Sequence, residues 1–404
     1  MRHYPLICPA GIKTCLIAFY AQRSDRSLRP ASLGCRGEGP GFRSKPAAAA
    51  PAPIDLQPEL QELVSQAMLS LGRLDGLAAV LPDPALFIYS YVRREAVLSS
   101  QIEGTQSSLV DLLLFESDAT PGVPLDDVRE VSNYVAAMNH GLDRLKTLPL
   151  SLRLIKETHG VLLSKGRGSK SEPGEFRRSQ NWVGGSRPGN AIFVPPAADQ
   201  VLDCLGALEK FLHNDPVRTP VLIKAALAHV QFETIHPFLD GNGRLGRLLI
   251  TFLLCAEDAL REPLLYLSLY FKQNQQRYYE LLQSVRLTGD WETWLRFFLT
   301  GVAETAVQAA DTARALMEVA AADEKRIQEI GKAAGSALRV HRVLQAQPLI
   351  SIAGASKRLN LGFPTVTASL KHLEKLGIVR ETTGSRYGRL YAYVRHLNIL
   401  NAET

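Results

Sequence analysis

Apolar residues along this chain recur mostly with the period of a helix. From position 84 to 103, Leu86, Phe87, Tyr89, Tyr91, Val92, Val97, Leu98 and Ile102 keep that spacing, and Pro84 suits a first turn. Similar patterns over 128–145, 150–163, 198–213, 217–235 and 242–256 predict further helices. The period breaks over 168–196, where the β-prone runs 180–183 and 191–194 flank a Gly/Pro-rich turn and predict a hairpin. An Ala-rich, charged stretch over 303–332 predicts a connecting helix. The last part predicts helices over 338–345, 351–359 and 364–376, the third opened by Pro364 and stopped by Gly377. Val366, Leu370, Leu373 and Leu376 then face inward, leaving Thr365, Thr367, Lys371, His372 and Lys375 outward. Runs 378–381 and 390–394 around a Gly384–Arg389 turn predict a second hairpin. The chain is therefore expected to be mainly α.

Residues 1–52 lack any such pattern and pass into a Pro/Ala run, which predicts a disordered leader. Pro9, Gly11 and Lys13 interrupt its apolar stretch, leaving it too short for a membrane span, and no clear cleavage site follows. With 404 residues, 46% of them hydrophobic, the rest can form two or three domains with sizeable cores. Boundaries are expected at 53–120 for an N-terminal helical region, 121–302 for the core, 303–335 for the connecting helix and 336–404 for a C-terminal domain. Residues 1–50 carry eight Lys/Arg against two Asp/Glu and residues 336–404 ten against three, so a chain of net +6 has an acidic middle and basic ends. A basic folded end keeps nucleic acid among the partners. Cys8, Cys15, Cys35, Cys204 and Cys255 show no zinc or disulfide spacing, and a reducing cytoplasm is the simplest setting.

Chemistry concentrates in one stretch, His236-Pro237-Phe238-Leu239-Asp240-Gly241-Asn242-Gly243-Arg244-Leu245-Gly246-Arg247, lying between two predicted helices. The start of the second helix leaves N–H groups unpaired and carries partial positive charge, a ready site for an anion. Gly241 and Gly243 permit a left-handed turn and close approach of a ligand to the backbone. Arg244 and Arg247, three apart, can aim at one anion. Asp240 is a hard oxygen ligand for Mg²⁺, and His236 has the pKa of a general base. Taken singly, a His before Pro reads as a turn and Gly-Asn-Gly as a loop; together they suit phosphate chemistry.

In this order the string resembles the Fic family signature, His-Pro-Phe-x-Asp/Glu-Gly-Asn-Gly-Arg-x-x-Arg, at every defined position. The resemblance implies a protein adenylyltransferase with a helical Fic core, moving AMP from ATP to a Ser, Thr or Tyr hydroxyl. It implies His236 as the base, Asp240 as the Mg²⁺ ligand, and Gly241, Asn242, Gly243 and Arg244 around the phosphates, with Arg247 at the γ phosphate and Phe238 as a core anchor. The hairpin resembles the family's flap, which implies that Trp182, Val183, Ile192 and Phe193 pin a target segment by strand addition. Tyr279 resembles a position beside adenine.

Ser99-Ser100-Gln101-Ile102-Glu103-Gly104 resembles the family's inhibitory motif. On its own it is a polar helix face, with Ser99 and Glu103 one turn apart and Gly104 as a C′ residue. The resemblance implies a Glu103–Arg247 pair that blocks the γ phosphate, and removal of AMP as a second activity. The C-terminal order of helices and hairpin resembles a winged helix-turn-helix, implying DNA contacts at Thr365, Thr367, Lys371, Arg386 and Arg389 or, equally, protein docking. A Doc-like phosphotransferase and a DNA-binding regulator with a nucleotide-sensing core stay open as alternatives. So do self-modification and a homo-oligomer.

Overall fold

A computed structural model describes residues 57–80, 84–117, 119–216, 218–384 and 388–402. The expected leader at 1–52 and the expected DNA contact Arg386 lie outside the described residues. The elements run α1 (Pro58–Val80), α2 (Pro84–Ile102), α3 (Leu109–Glu116), α4 (Leu125–Leu145), α5 (Leu152–Leu162), α6 (Val201–Leu212), α7 (Val221–Ile235), α8 (Asn242–Ala256), α9 (Ser268–Gln273), α10 (Gln275–Thr288) and α11 (Trp291–Gln328). After these come α12 (Ala334–Ala346), β1 (Leu349–Ser351), α13 (Ile352–Leu359), α14 (Phe363–Lys375), β2 (Val379–Glu381), β3 (Leu390–Tyr393) and α15 (Val394–Asn401). The protein is mainly α, as its periodicity predicts.

Several ends follow local chemistry. Ser108 caps α3 by accepting from Asp111 N (3.2 Å) while the Asp111 carboxylate accepts from Ser108 N (3.0 Å), a reciprocal capping box. Ser151, Asp290 and Ser351 cap α5, α11 and α13 in the same sense. Gly104, at φ 95°, takes the left-handed turn that ends α2.

α7 is the centre of the helical body. From Leu222 to Ile235 every residue is buried, so it is packed on all sides rather than along one stripe. Two of its polar residues are paired: Lys224 Nζ lies 2.5 Å from Glu257 Oε1, and the His229 ring nitrogens lie 2.9 Å from Gly246 O and 2.8 Å from Tyr278 Oη. Around α7 stand α8, α6, α11 and α10, with α1 lying along α11. The Trp294 indole donates to Ala226 O (2.9 Å) and Tyr91 Oη to Ala309 O (2.6 Å), tying α11 to both α7 and α2.

Some of the architecture departs from expectation. α11 is one helix that runs through the anticipated boundary at 302/303, because its buried face continues from Trp294 and Phe298 through Val302, Ala306 and Ala313. Helices α1, α3, α9, α10 and α15 and strand β1 had no specific forecast. In place of a two-stranded hairpin over 180–194 there is a single bridge, Val183 with Phe193. The intervening Gly184 and Gly185 are left-handed, and the Asn190 carboxamide takes the Ser186 and Arg187 N–H groups (3.0 and 2.9 Å), so a ladder has few partners there. Cys255 is a free thiol. Among the described residues no helix is long and apolar enough to cross a membrane.

The C-terminal strands form an antiparallel sheet in the order β1-β3-β2. All of β3 is buried, and its two faces belong to different cores. Leu390 and Ala392 join Leu349, Leu397 and Leu400 in the core of the helical body, while Tyr391 and Tyr393 join Val340, Val366, Leu370 and Leu373 in a second core. Period-two alternation thus welds the two parts together.

Gly141 on α4 gives a test of this packing. A Cβ there would meet Phe252 Cζ at 2.1 Å, and Phe252 is itself buried. Gly141→Ala should lower stability by about 1–3 kcal/mol through overpacking, despite the helix propensity that alanine adds. Urea unfolding followed by circular dichroism checks it; an unchanged or raised midpoint contradicts the packing.

Candidate active site

The loop between α7 and α8 is held by its backbone. His236 ends α7 in a left-handed conformation (φ 49°, ψ 60°), unusual for a residue with a Cβ and sustained only where surroundings enforce it. Arg177 enforces it from the preceding loop: its N–H donates to Pro237 O (2.8 Å), its Nε to His236 O (3.0 Å) and its Nη2 to Pro196 O (2.5 Å). Asn181 Nδ2 donates to His236 O (3.2 Å) and Phe238 O (2.9 Å). Asn242 closes the loop from inside, accepting from Phe238 N (2.9 Å) and donating to Phe238 O (2.8 Å). Phe238 is fully buried and stacks on His159 with ring centroids 3.7 Å apart. His159 Nδ1 accepts from Gly174 N (2.8 Å), which fixes the proton on Nε2, and that nitrogen donates to Asp240 O (3.0 Å). Burial pushes the His159 pKa down to about 4, so the ring is a neutral strut.

The start of α8 forms the other wall. Gly241 (φ 76°) turns the chain into the helix, whose first amides have no intrahelical acceptor. Arg247, on the same helix, is buried and donates from Nε to Ser99 Oγ (2.7 Å) and from Nη2 to Ser99 O (2.9 Å) and Glu103 Oε1 (2.7 Å). The Glu103 carboxylate also presses on the helix start: a Cβ at Gly243 would fall 2.2 Å from its Oε1. Burial works to raise the Glu103 pKa, but Arg247 outweighs it and holds the carboxyl below its ordinary range. Arg244 lies 3.1 Å from Glu130 on α4 and 3.7 Å from Asp240, whose Oδ1 accepts from Gly241 N (2.6 Å).

Burial and then the Arg286 charge push the His236 pKa down to about 4. A neutral imidazole, a part-exposed carboxylate and a helix start carrying two guanidiniums therefore surround one spot. That set can bind a polyphosphate and accept a proton beside it.

Residues 61–143 match the family model described as Fic/DOC family N-terminal, and residues 149–254 match that of the Fic/DOC family. The chain carries a Fic/DOC domain. It is 31% identical over 201 residues to the protein adenylyltransferase Fic of Drosophila erecta and 34% identical over 201 residues to that of Aedes aegypti. Each match covers 48% of this chain, which spans only 37% of the length of those relatives. A crystal structure of a Fic family protein from Desulfovibrio desulfuricans G20 shares the fold, with a TM-score of 0.55 at 21% identity over 83% of this chain and 96% of that one.

Around the Fic domain's loop the structure gathers most of the residues singled out by sequence. His236, Asp240, Gly241, Asn242, Gly243, Arg244 and Arg247 share the site with Ser99, Glu103 and Gly104 at the end of α2. The Tyr279 hydroxyl lies 3.5 Å from Ile102 O, beside that same helix end. In the flap segment Phe193 is buried under the Arg286 guanidinium, 4.3 Å from the ring centroid, while Trp182 and Ile192 are exposed. The Asn242 carboxamide is consumed by the Phe238 backbone, so only its main chain is left to face a ligand. Thr365, Thr367, Lys371 and Arg389 sit on the C-terminal part, outside this site.

Sequence reasoning missed Glu130, His159, Arg177, Asn181 and Arg286. Two signals were available: Glu130 and His159 are polar residues on buried faces of α4 and α5, beside Val131 and between Ile155 and Leu162. Removing the loop's internal staple has a measurable cost. Asn242→Ala strands the buried Phe238 N–H and should cost about 1–3 kcal/mol in urea unfolding; an unchanged midpoint would show that the staple does not hold the loop.

Proposed function

We propose that this chain is a protein adenylyltransferase held inactive by its own Glu103. The observation that carries the proposal is the Glu103 carboxylate seated at the start of α8, 2.7 Å from Arg247 and against Gly243. It fills an anion site with an internal anion, which is where the terminal phosphates of ATP would compete.

In this reading the target hydroxyl oxygen attacks the α phosphorus, its proton passes to the neutral His236 imidazole, and the bond between the α phosphorus and the bridging oxygen breaks. Pyrophosphate leaves with the electron pair. The helix start and Arg244 receive the charge on the α and β phosphates and Arg247 that of the γ phosphate, so the protein acts by positioning and neutralisation. Asp240 fits a Mg²⁺ ion delivered with the nucleotide: its side chain is 40% exposed, its carbonyl is fixed by His159, and Mg²⁺ commonly takes one protein carboxylate plus phosphates. When bound, such an ion neutralises phosphate charge. The flap would align a target segment by strand addition, with Trp182 and Ile192 exposed for it. In this reading Glu103 also supports removal of AMP as a second activity.

Transfer of label from α-labelled ATP to protein tests this. Glu103→Gly should raise labelling by about tenfold or more, the order expected when one strong charge-assisted competitor is removed, and adding His236→Ala should abolish it. Equal labelling by wild type and Glu103→Gly sinks the inhibition; label from the γ position alone would mean phosphate transfer. A second test is pH. A base whose pKa is depressed from 6.5 to about 4 stays unprotonated through neutrality, so kcat/KM of Glu103→Gly should hold level down to about pH 5 and fall only below it. An acid limb centred near 6.5 contradicts His236 as a base with a depressed pKa.

For the C-terminal part we propose a winged helix-turn-helix spanning 336–404, supported by the order α12, β1, α13, α14, β2, β3 and the β1-β3-β2 sheet. Its exposed face on α14 carries Thr365, Lys371 and Lys375, with Arg389 near the hairpin. Salt-dependent binding of duplex DNA, reduced by Lys371→Ala, supports DNA contact. No binding at low salt favours protein docking.

A further inference from the structure

We propose that Arg167, outside the loop motif, is a further phosphate-binding guanidinium of the nucleotide site. This rests on the nucleotide reading above and deepens it.

The segment after α5 is built to hold this side chain in place. Gly166 and Gly168 flank Arg167 in left-handed conformations (φ 80° and 84°). The Asn133 carboxamide on α4 donates to Lys165 O (2.7 Å), and Ser169 N and Ser171 N close turns onto Gly166 O (3.3 Å) and Gly168 O (2.9 Å). The backbone runs directly over the Asp240 carboxylate: a Cβ at Gly168 would lie 2.5 Å from Oδ2, so no larger residue fits there without a shift.

Arg167 meets the site through Glu130. Its Nε lies 2.8 Å from Glu130 Oε1 and its Nη2 donates to Oε2 (3.2 Å), while Arg244 Nη1 donates to the same Oε2 (3.1 Å). One buried carboxylate therefore aligns two guanidiniums, Arg244 from the helix and Arg167 from the rim. Glu130 holds the Arg167 pKa above its ordinary value, and Asp240 adds to the effect. Two features go beyond a loop latch. The Arg167 side chain is 58% exposed, so its outer donors are open, and the buried Nε of Arg244 has no hydrogen-bond partner among the described residues. The exposed Arg167 donors leave capacity on the Asp240 side of the loop, where in the reading above the α and β phosphates lie, and guanidiniums suit phosphate oxygens by shape and charge.

Calorimetric titration of Glu103→Gly protein with Mg²⁺ and, separately, ATP, ADP and adenosine tests this, with and without Arg167→Ala or Arg167→Lys. Arg167→Ala should weaken ATP and ADP alike by about tenfold, the size of one charge-assisted phosphate contact. Adenosine binding should stay unchanged, and Arg167→Lys should recover part of the loss. Unchanged ATP affinity overturns the proposal, and so does an equal loss for ATP and adenosine, which would mark Arg167 as a latch that only shapes the pocket. If the Glu103→Gly parent binds ATP but transfers no α label, the transferase reading fails while these titrations still decide Arg167. A parent that binds neither ATP nor ADP overturns both.

Discussion

A guanidinium buried at the root of a helix has to be paired, and Arg247 shows how much follows from that requirement. Taking such a charge out of water costs several kcal/mol even after relaxation, on the order seen for buried ion pairs, and the cost is offset only with good geometry and every donor engaged. Here α2 supplies the partners, Ser99 through hydroxyl and carbonyl and Glu103 through its carboxylate. The position of α2 against α8 is therefore fixed by chemistry as well as by packing. Two other carboxyls, Glu95 and Glu233, lie within the electrostatic reach of Arg247, yet burial raises both to a pKa of about 7. Glu103 alone is held below its ordinary range, which marks it as the working counter-ion.

The loop between α7 and α8 solves a different problem. Its ends are set by α7 and α8, but a left-handed His236 and a run of buried carbonyls would not persist unaided. Arg177, Asn181 and Asn242 spend their donors on main-chain oxygens of the loop, and His159 props Asp240 from below while stacking on Phe238. Four polar side chains thus hold the loop by its backbone. The imidazole of His236 and the carboxylate of Asp240 are left to face a ligand, in keeping with a site that acts through placement.

Coupling between the two parts of the molecule is mechanical. β3 is buried on both faces, and Leu349, Leu390, Leu397 and Leu400 share one core with Val97, Leu98 and Ile102 of α2. Leu400 borders a small cavity whose other walls include Val97, Leu98 and Leu109. The helix that leads into Glu103 is accordingly packed between α8, which carries Arg247, and α12 of the C-terminal part.

Sequence by itself determined the helices whose apolar spacing is regular, the end of α7, the limits of α8 and the twelve-residue loop between them, because these depend on local periodicity and on residues that act within a few positions of one another. It also foretold the Ser99–Glu103 face, since both residues lie on one turn. Tertiary structure alone decided that this face meets Arg247, 148 positions from Ser99 and 144 from Glu103 in the chain. It decided as well that Glu130 and Arg167 join Arg244, and that Arg177 and His159 carry the loop. Those pairings are chosen by burial: a charged or polar side chain removed from water takes whatever partner the fold brings within reach, and no spacing along the chain records which one that will be. The flap came out as one bridge for a related reason, since glycine conformations and the Asn190 carboxamide, rather than β propensity, settled where its backbone hydrogen bonds went.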